Sequence, residues 1–181
     1  MTTTRTHVDR TWLIGISVAV PGPHGGFLQR ARVAFGDPTG FSIPTHITLL
    51  PPTTVTAPTF YAVQEHLESL AATLASFVVE LSGTGTFLPV SPVAFVGMTT
   101  GVIACTELAD QVLAGPLYRP RGFPYHPHVT IAHHLAEPEL DLAQHALVDY
   151  EARFEVESFD LYQQMAGTWR PIRRYLLGGT Q

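Results

Sequence analysis

The chain has 181 residues, of which 45% are hydrophobic and 14% charged, so it is long enough to bury a substantial core. All ten basic residues are arginines, which excludes mechanisms that need a lysine: a lysyl-adenylate intermediate, a Schiff base or a Walker P-loop. The net charge of -5 and the small groups of arginines argue against a broad nucleic-acid-binding face. A small anionic ligand, or one nucleic-acid end, is compatible with the composition.

The sequence also gives an expectation for the compartment. Its apolar runs fall short of the ~20 residues of a membrane-spanning helix, and residues 1–6 do not resemble a secretory signal. The single cysteine, Cys105, cannot form an intrachain disulfide, as is usual in a reducing compartment. We therefore expect a cytoplasmic protein without a membrane segment, folded as one domain over residues 1–181.

Apolar spacing in the first half of the chain alternates between the periods of strands and helices. The predicted elements are strands at 12–20, 43–50 and 77–84 and helices at 26–35 and 58–75. The strand at 43–50 is predicted to end at Pro51-Pro52, and residues 58–75 show the clearest helical spacing.

The second half continues the mixed pattern. Its predicted elements are strands at 87–96, 101–106, 152–162 and 172–177 and helices at 107–117 and 137–149. Pro89 and Pro92 predict an edge strand or a kinked strand at 87–96. Cys105 is expected to be a buried small apolar residue in the strand at 101–106, and a turn at Ala166-Gly167 is expected before the last strand.

Two tetrapeptides repeat one another: His46-Ile47-Thr48-Leu49 and His128-Val129-Thr130-Ile131. In an extended strand successive side chains point to opposite faces, so the histidine and threonine of each copy share one face. The two apolar residues share the other face. Each copy is therefore predicted to be a strand that is buried on one side and carries polar, reactive groups on the other.

The two motifs lie 82 positions apart (128 minus 46), which leaves room for one lobe of the chain to repeat the other. Two sheets that meet along a cleft would bring two imidazoles and two hydroxyls into one small volume. Displacement at phosphorus needs a proton acceptor on one side and a proton donor on the other, and histidine can fill either role near neutral pH. Threonine hydroxyls can donate hydrogen bonds to the equatorial oxygens.

At these residues the sequence resembles the two-histidine phosphoesterases, whose bacterial members are often called 2′-5′ RNA ligase-like proteins or cyclic phosphodiesterases. The family is marked by two His-x-Thr/Ser motifs. Here the first continues into Leu50-Pro51 and the second is preceded by Pro127. The order of predicted strands and helices from residue 12 to residue 177 also resembles that of the family.

The resemblance implies a pseudo-symmetric, two-lobed α+β fold, with two mainly antiparallel sheets around a central cleft and helices outside. It implies hydrolysis of a cyclic phosphodiester without metal, cofactor or ATP. The usual substrate would be a 2′,3′-cyclic phosphate of an RNA terminus or small nucleotide, opened to a 2′-phosphate. The resemblance assigns catalysis to His46 and His128 and phosphate binding to Thr48 and Thr130. The same two histidines could run the reverse reaction, 2′-5′ ligation of RNA.

One departure concerns the arginine that many bacterial members carry shortly after the second motif, where this sequence has His133-His134. A phosphate or ribose contact is therefore expected from elsewhere. Arg119 and Arg121, just upstream of the second motif, are the first candidates, and Arg170 is a further one. Phe123 and Tyr125 follow in the same Gly/Pro-rich segment. Because such loops expose the side chains they carry, both are candidates for stacking on a nucleobase.

Two other functions remain open. The first is a metal-dependent hydrolase, because the cluster of His126, His128 and His133 has ligand-like spacing for zinc or nickel. Against it, metal sites are usually oriented by a carboxylate, and the nearest acidic residue, Glu137, lies beyond the predicted strand. The second is a catalytically silent protein of the same fold that binds an RNA end or a nucleotide without turnover.

Overall fold

The computed structural model describes residues 10–179, and this part of the chain forms eight strands, four α-helices and one short 3₁₀ helix. The strands are β1 (Thr11–Ala19), β2 (His46–Thr56), β3 (Phe77–Thr86), β4 (Val93–Thr100), β5 (His128–His133), β6 (Glu151–Val156), β7 (Ser158–Met165) and β8 (Thr168–Leu176). The helices are α1 (His24–Ala34), α2 (Ala57–Thr73), α3 (Val102–Leu113), α4 (Glu137–Ala146) and the 3₁₀ helix Gly115–Leu117. Within residues 10–179, no helix has the length and apolar character needed to cross a membrane.

The strands form one hydrogen-bonded sheet in the order β6-β3-β4-β5-β2-β1-β7-β8, and every pairing is antiparallel. The sheet has two halves of four strands, which meet where Ile47 of β2 pairs with Val129 of β5. The α+β class and the antiparallel strands predicted from the sequence are confirmed. The two predicted sheets are, however, joined through this narrow contact into one continuous sheet.

The order of elements repeats between the halves. The unit β1-α1-β2-α2 corresponds to the unit β4-α3-β5-α4, and in each unit the second strand carries the His-x-Thr motif. These two motif strands occupy equivalent central positions in the sheet. A pseudo-two-fold axis therefore passes between β2 and β5 and places the two motifs side by side.

Each half also supplies a helix to the other half. Helix α3 packs against β2, and α1 packs against β5. The apolar residues of both motifs are buried between sheet and helices, whereas the motif histidines and threonines are only partly buried. Helices α1 and α3 thus stabilise the junction between β2 and β5, where the strands pair at Ile47 and Val129.

Strand β2 does not end at Pro51-Pro52, as predicted, but continues to Thr56. The register with β1 explains this, because Ile14 pairs with Thr53 while Ile16 pairs with Leu50. The two prolines therefore lie opposite Gly15 at a bulge. A bulge tolerates residues that cannot donate to the ladder, so the strand survives.

The predicted strand at 101–106 is wrong, because these residues open helix α3. Gly101 has a φ of 86°, and a Cβ atom at this position would lie 2.5 Å from the carbonyl oxygen of Val78. Only glycine fits this turn out of β4 into α3 without strain. Cys105 is buried, as expected, but on the helix. Residues 87–92 form a turn ahead of β4, where an edge strand or a kinked strand was predicted. Strand β4 itself lies inside the sheet, between β3 and β5.

The predicted strand at 152–162 is divided at Glu157 into β6 and β7. These two strands lie in different halves of the sheet, since β6 pairs with β3 and β7 pairs with β1. The chain therefore crosses between the halves at this point. The predicted turn between β7 and β8 is confirmed, with φ values of 49° at Ala166 and 80° at Gly167, as in a two-residue hairpin turn.

Candidate active site

The contact between β2 and β5 brings both motifs to one cleft of about 330 Å³, which we call the histidine cleft. His46, Thr48, His128 and Thr130 all line it. Because the two strands run antiparallel, His46 lies on the side of Thr130 and Thr48 on the side of His128. The other lining residues are Gly15, Ile16, Ser17, Arg32, Ile43, Pro44, Leu50, Pro52, Ser91, Val93, His133, Tyr162 and Trp169.

The two histidine rings are anchored in the same way. The Nδ1 atom of His46 lies 2.6 Å from the carbonyl oxygen of Pro44, and the Nδ1 atom of His128 lies 2.6 Å from the carbonyl oxygen of His126. A carbonyl oxygen can only accept a hydrogen bond, so Nδ1 must be the protonated nitrogen and the donor. In the neutral ring the other nitrogen, Nε2, is then unprotonated. In each motif the acceptor lies two residues before the histidine. The pseudo-symmetry of the fold therefore extends to the hydrogen bonds of the site.

The surroundings favour the neutral form of both rings. Burial lowers the pKa of His46 below its ordinary value of 6.5, the hydrogen bond to Pro44 opposes this shift, and the charge of Arg32 adds to it. Burial also lowers the pKa of His128 from 6.5 to about 4, and the rings of His126 and His46 act in the same direction. Near neutral pH both imidazoles can therefore accept a proton.

Two phenylalanines pack against the ring of His128. The Phe87 ring meets it nearly edge-on, with centroids 4.8 Å apart and an interplanar angle of 83°. The Phe95 ring lies 5.3 Å away and also contacts His126, at 5.1 Å. The two phenylalanine rings therefore contact the His128 ring and limit how it can turn.

Arg119, Arg121, Phe123 and Tyr125 do not line the histidine cleft. They line a second groove of about 680 Å³, which we call the arginine groove. The two cavities adjoin, because Thr48, Ser91 and His128 line both. The predicted catalytic residues are thus brought together, and the predicted substrate-binding residues form a neighbouring surface.

Within the arginine groove, Arg121 forms an ion pair with Asp110 of α3, and its guanidinium lies 5.0 Å from the centroid of the Tyr125 ring. The Tyr125 hydroxyl donates a hydrogen bond of 2.8 Å to the carbonyl oxygen of Thr48. Burial raises the pKa of Tyr125. Tyr125 therefore connects the loop to the first motif, whereas Phe123 is 71% exposed and is the freer candidate for stacking.

Three ionisable residues of the histidine cleft were not predicted to lie there: Arg32, Tyr162 and His133, which the sequence offered only as a possible metal ligand. For Tyr162 a signal existed, since alternation along β7 places it on the face opposite to buried Leu161. His133 reaches the face of Thr130 only because of an irregularity in the pairing of β4 with β5. No local pattern indicates which way the Arg32 side chain of α1 points.

The metal alternative is not supported by the arrangement of the side chains. Among residues 10–179, no group of three or more His, Cys, Asp or Glu residues is placed to hold a metal ion. His126 lines the arginine groove and His133 lines the histidine cleft, and the rings of His126 and His128 are 6.1 Å apart. The predicted cluster of His126, His128 and His133 is therefore not assembled.

Two pseudo-symmetric halves with paired His-x-Thr strands around one cleft define the architecture of a two-histidine phosphoesterase. Residues 20–168 match the family model of the 2′-5′ RNA ligase superfamily. The chain belongs to this family, as the motifs predicted.

Individual proteins are also similar to this chain in sequence or in fold. A Bacillus licheniformis protein, whose name assigns it provisionally to the phosphoesterases, is 27% identical over 145 residues, which cover 78% of this chain and 85% of the relative. The crystal structure of E. coli LigT with 3′-AMP superposes with a TM-score of 0.67 at 19% identity, over 93% of this chain and 99% of LigT. Kluyveromyces marxianus Usb1 gives a TM-score of 0.51 at 12% identity, over 93% of this chain and 99% of Usb1. These two structures share the fold of this chain.

Proposed function

We propose that the protein is a metal-independent phosphodiesterase that opens a 2′,3′-cyclic phosphate, at an RNA terminus or in a nucleotide, to a 2′-phosphate. The observation that carries the proposal is the matched anchoring of His46 and His128 in one cleft, beside Thr48 and Thr130. Neither ATP nor a cofactor takes part in the proposed reaction.

In this reaction a water molecule attacks phosphorus, and the bond between phosphorus and the 3′ oxygen breaks. The Nε2 atom of one histidine accepts a proton from the water, while the protonated Nε2 atom of the other gives a proton to the leaving 3′ oxygen. The hydroxyls of Thr48 and Thr130 donate hydrogen bonds to the oxygens on which negative charge accumulates.

The lowered pKa values of His46 and His128 are compatible with one ring acting as the base and the other as the acid. In the free protein burial lowers the pKa of both rings and favours their neutral forms, so either can act as the base. A bound phosphate anion favours the charged form of the nearer imidazole and raises its pKa, which supplies the acid. The orientation of the substrate then decides which histidine takes which role.

The comparisons support a nucleotide or an RNA end as the substrate. LigT has been crystallised with 3′-AMP, with NADP+ and with ATP. The family description also names the joining of RNA through 2′-5′ bonds. With the 5′ hydroxyl of a second RNA end in place of water, the same two histidines would form a 2′-5′ phosphodiester bond from a 2′,3′-cyclic end without ATP. The bond between phosphorus and the 3′ oxygen breaks in this reaction too, and the 3′ oxygen takes up the proton.

The test is turnover of 2′,3′-cyclic AMP in EDTA by the wild type, His46→Ala and His128→Ala, with identification of the product isomer. His145→Ala is the matched control, because His145 is exposed on α4 and its Nδ1 atom bonds to the carbonyl oxygen of Asp141 in the same helix. We expect adenosine 2′-monophosphate as the product, a loss of about 100-fold or more in each cleft variant, and an unchanged rate in the control.

Full activity in either cleft variant, or turnover that stops in EDTA and returns with zinc, would contradict the paired-histidine mechanism. Binding of the cyclic nucleotide by the wild type without turnover would instead identify a silent RNA-end or nucleotide-binding protein.

A further inference from the structure

Arg32 is a buried cation at the edge of the histidine cleft. It lies in the last turn of α1, its side chain is 4% exposed, and it lines the cleft together with His46 and His133. Helix α1 belongs to the half of the fold that contains β2, but it packs against β5 of the other half. Arg32 therefore lies at the junction of the two halves.

A closed network of hydrogen bonds fixes the guanidinium. Its Nε atom donates to Asp37 Oδ2 at 2.7 Å, and its Nη2 atom donates to Thr39 Oγ1 at 2.6 Å. Thr39 in turn donates to Asp37 Oδ1 from its backbone N–H at 2.8 Å and from its hydroxyl at 2.7 Å. Within residues 10–179, these bonds use two of the five N–H donors of the guanidinium, and three are not used by this part of the chain.

The carboxylate of Asp37 is held in its charged form. Burial alone would raise its pKa, but the hydrogen bonds from Thr39 and Arg32 outweigh burial and keep the pKa below its usual value. The Asp37 side chain is completely buried and does not line the cleft. In this ion pair the Arg32 guanidinium therefore lines the cleft, and the Asp37 carboxylate lies in the protein interior.

Among residues 10–179, no other residue that lines the histidine cleft carries a permanent charge. This described lining holds neither aspartate nor glutamate, and its histidines His46, His128 and His133 are shifted by burial toward the neutral form. The cleft thus offers one positive charge, which matches the single negative charge of a phosphodiester.

We propose that Arg32 binds a non-bridging oxygen of the substrate phosphate, held in position by Asp37 and Thr39. This inference rests on the proposed function and names the cation that selects an anionic substrate at the same site. Arg119 and Arg121, the arginines predicted for this contact, line the neighbouring groove instead. A guanidinium held by a carboxylate behind it donates with fixed geometry and does not have to be ordered when the substrate binds.

The competing explanation is that the ion pair only holds the loop after α1, so the test must separate charge from structure. Removing Arg32 alone would leave Asp37 buried and unpaired, and the variant could fail to fold. The double variant Arg32→Gln/Asp37→Asn replaces the pair by two neutral side chains of similar size. Arg30→Gln is the matched control, since Arg30 is exposed on the same helix and does not line the histidine cleft.

Binding of inorganic phosphate, of adenosine 2′-monophosphate and of neutral adenosine should be measured by calorimetry. We expect the double variant to bind both anions about 10- to 100-fold more weakly, as for a lost hydrogen bond to a charged group. Its affinity for adenosine, and all affinities of Arg30→Gln, should stay within about twofold of wild type. Anion affinities that are unchanged in a folded double variant would overturn the proposal.

A measurement on the wild type keeps the proposal testable if the double variant does not fold. The Nε donor is already bonded to Asp37, so the ¹⁵N–¹H resonances of the Arg32 Nη groups are the ones that should shift on titration with inorganic phosphate. Nη resonances that do not respond at saturation would overturn the proposal. Phosphate binding that depends on Arg32 in a wild type without turnover would refute the proposed function alone. Normal turnover with anion binding independent of Arg32 would refute this inference alone.

Discussion

Ile47 of β2 pairs with Val129 of β5, and through this antiparallel pair the two halves of the sheet are joined. Both side chains are fully buried. The residues on either side of the pair are the histidines and threonines that line the histidine cleft. The packing of two apolar side chains therefore sets the relative position of the proposed catalytic groups on the opposite face.

Shortening Ile47 should disturb both stability and activity. We expect Ile47→Ala to lower the free energy of unfolding by about 2–5 kcal/mol, and Ile47→Val to lower it by about 0.5–1.5 kcal/mol, in urea titrations. The substitution Ile47→Ala would leave a cavity directly beneath the histidine cleft. The kcat for 2′,3′-cyclic AMP should therefore fall in this variant under conditions where it is folded.

Leu140→Ala provides the control, because Leu140 is equally buried but lies on α4. It should lose stability in the same range of about 2–5 kcal/mol while kcat is retained. A similar fall of kcat in both variants would show that the Ile47–Val129 pair has no special influence on the cleft.

Gly101 should be sensitive to the smallest substitution. Gly101→Ala places a Cβ atom 2.5 Å from the Val78 carbonyl oxygen at a φ of 86°, whereas Gly36 has a similar φ of 87° with open space around it. Both alanine variants should lose about 1–2 kcal/mol from the left-handed backbone. Gly101→Ala should lose more in thermal or urea unfolding because of the clash, and equal losses would mean that β3 moves aside at little cost.

The parts of the structure that were predicted from the sequence depend on local alternation. The motif strands follow from the apolar residues between His46 and Thr48 and between His128 and Thr130, and the helix α2 follows from its regular apolar spacing. Residues 101–106 were misassigned because a short apolar run fits a buried strand and a buried helix equally well. Arg32 was missed for a different reason: its place in the cleft depends on how α1 packs on β5, and no local pattern records that.

The partly buried histidines of the histidine cleft should make the protein less stable in mild acid. The pKa of His128 is lowered from 6.5 to about 4, and that of His46 is lowered as well. Between pH 6.5 and about pH 4, the His128 side chain binds a proton in the unfolded chain but not in the folded protein. Stability should therefore be complete above about pH 6.5 and should fall as the pH drops toward 4, by at most about 3 kcal/mol for His128.

Urea titrations at pH 7.5 and pH 5.0 measure this effect, with these pH values chosen on either side of about 6.5, the ordinary pKa of histidine. His128→Gln should be less sensitive to pH than the wild type, because it removes the titrating group. His145→Gln, on the exposed face of α4, should keep the dependence of the wild type. Equal stability of the wild type at both pH values would show that the His128 ring is solvated in the folded protein.

The arginine groove should matter for RNA and not for a mononucleotide. It adjoins the histidine cleft at Thr48 and His128, so the nucleotides that precede a cyclic end can extend along Arg119 and Phe123. Loss of one base stacked on an aromatic ring costs about 1–3 kcal/mol. Phe123→Ala should therefore lower kcat/KM for a short oligoribonucleotide with a 2′,3′-cyclic end by about tenfold or more, and leave turnover of 2′,3′-cyclic AMP unchanged.

Arg119→Gln should reduce the salt dependence of kcat/KM for the oligoribonucleotide, because it removes one charge that can pair with a phosphate. Tyr118→Ala is the control for Phe123→Ala, since Tyr118 is 78% exposed on the same loop but does not line the arginine groove. An equal loss of activity on both substrates in Phe123→Ala would mean that the loop acts by supporting the histidine cleft. No loss on either substrate would place the bound RNA outside this groove.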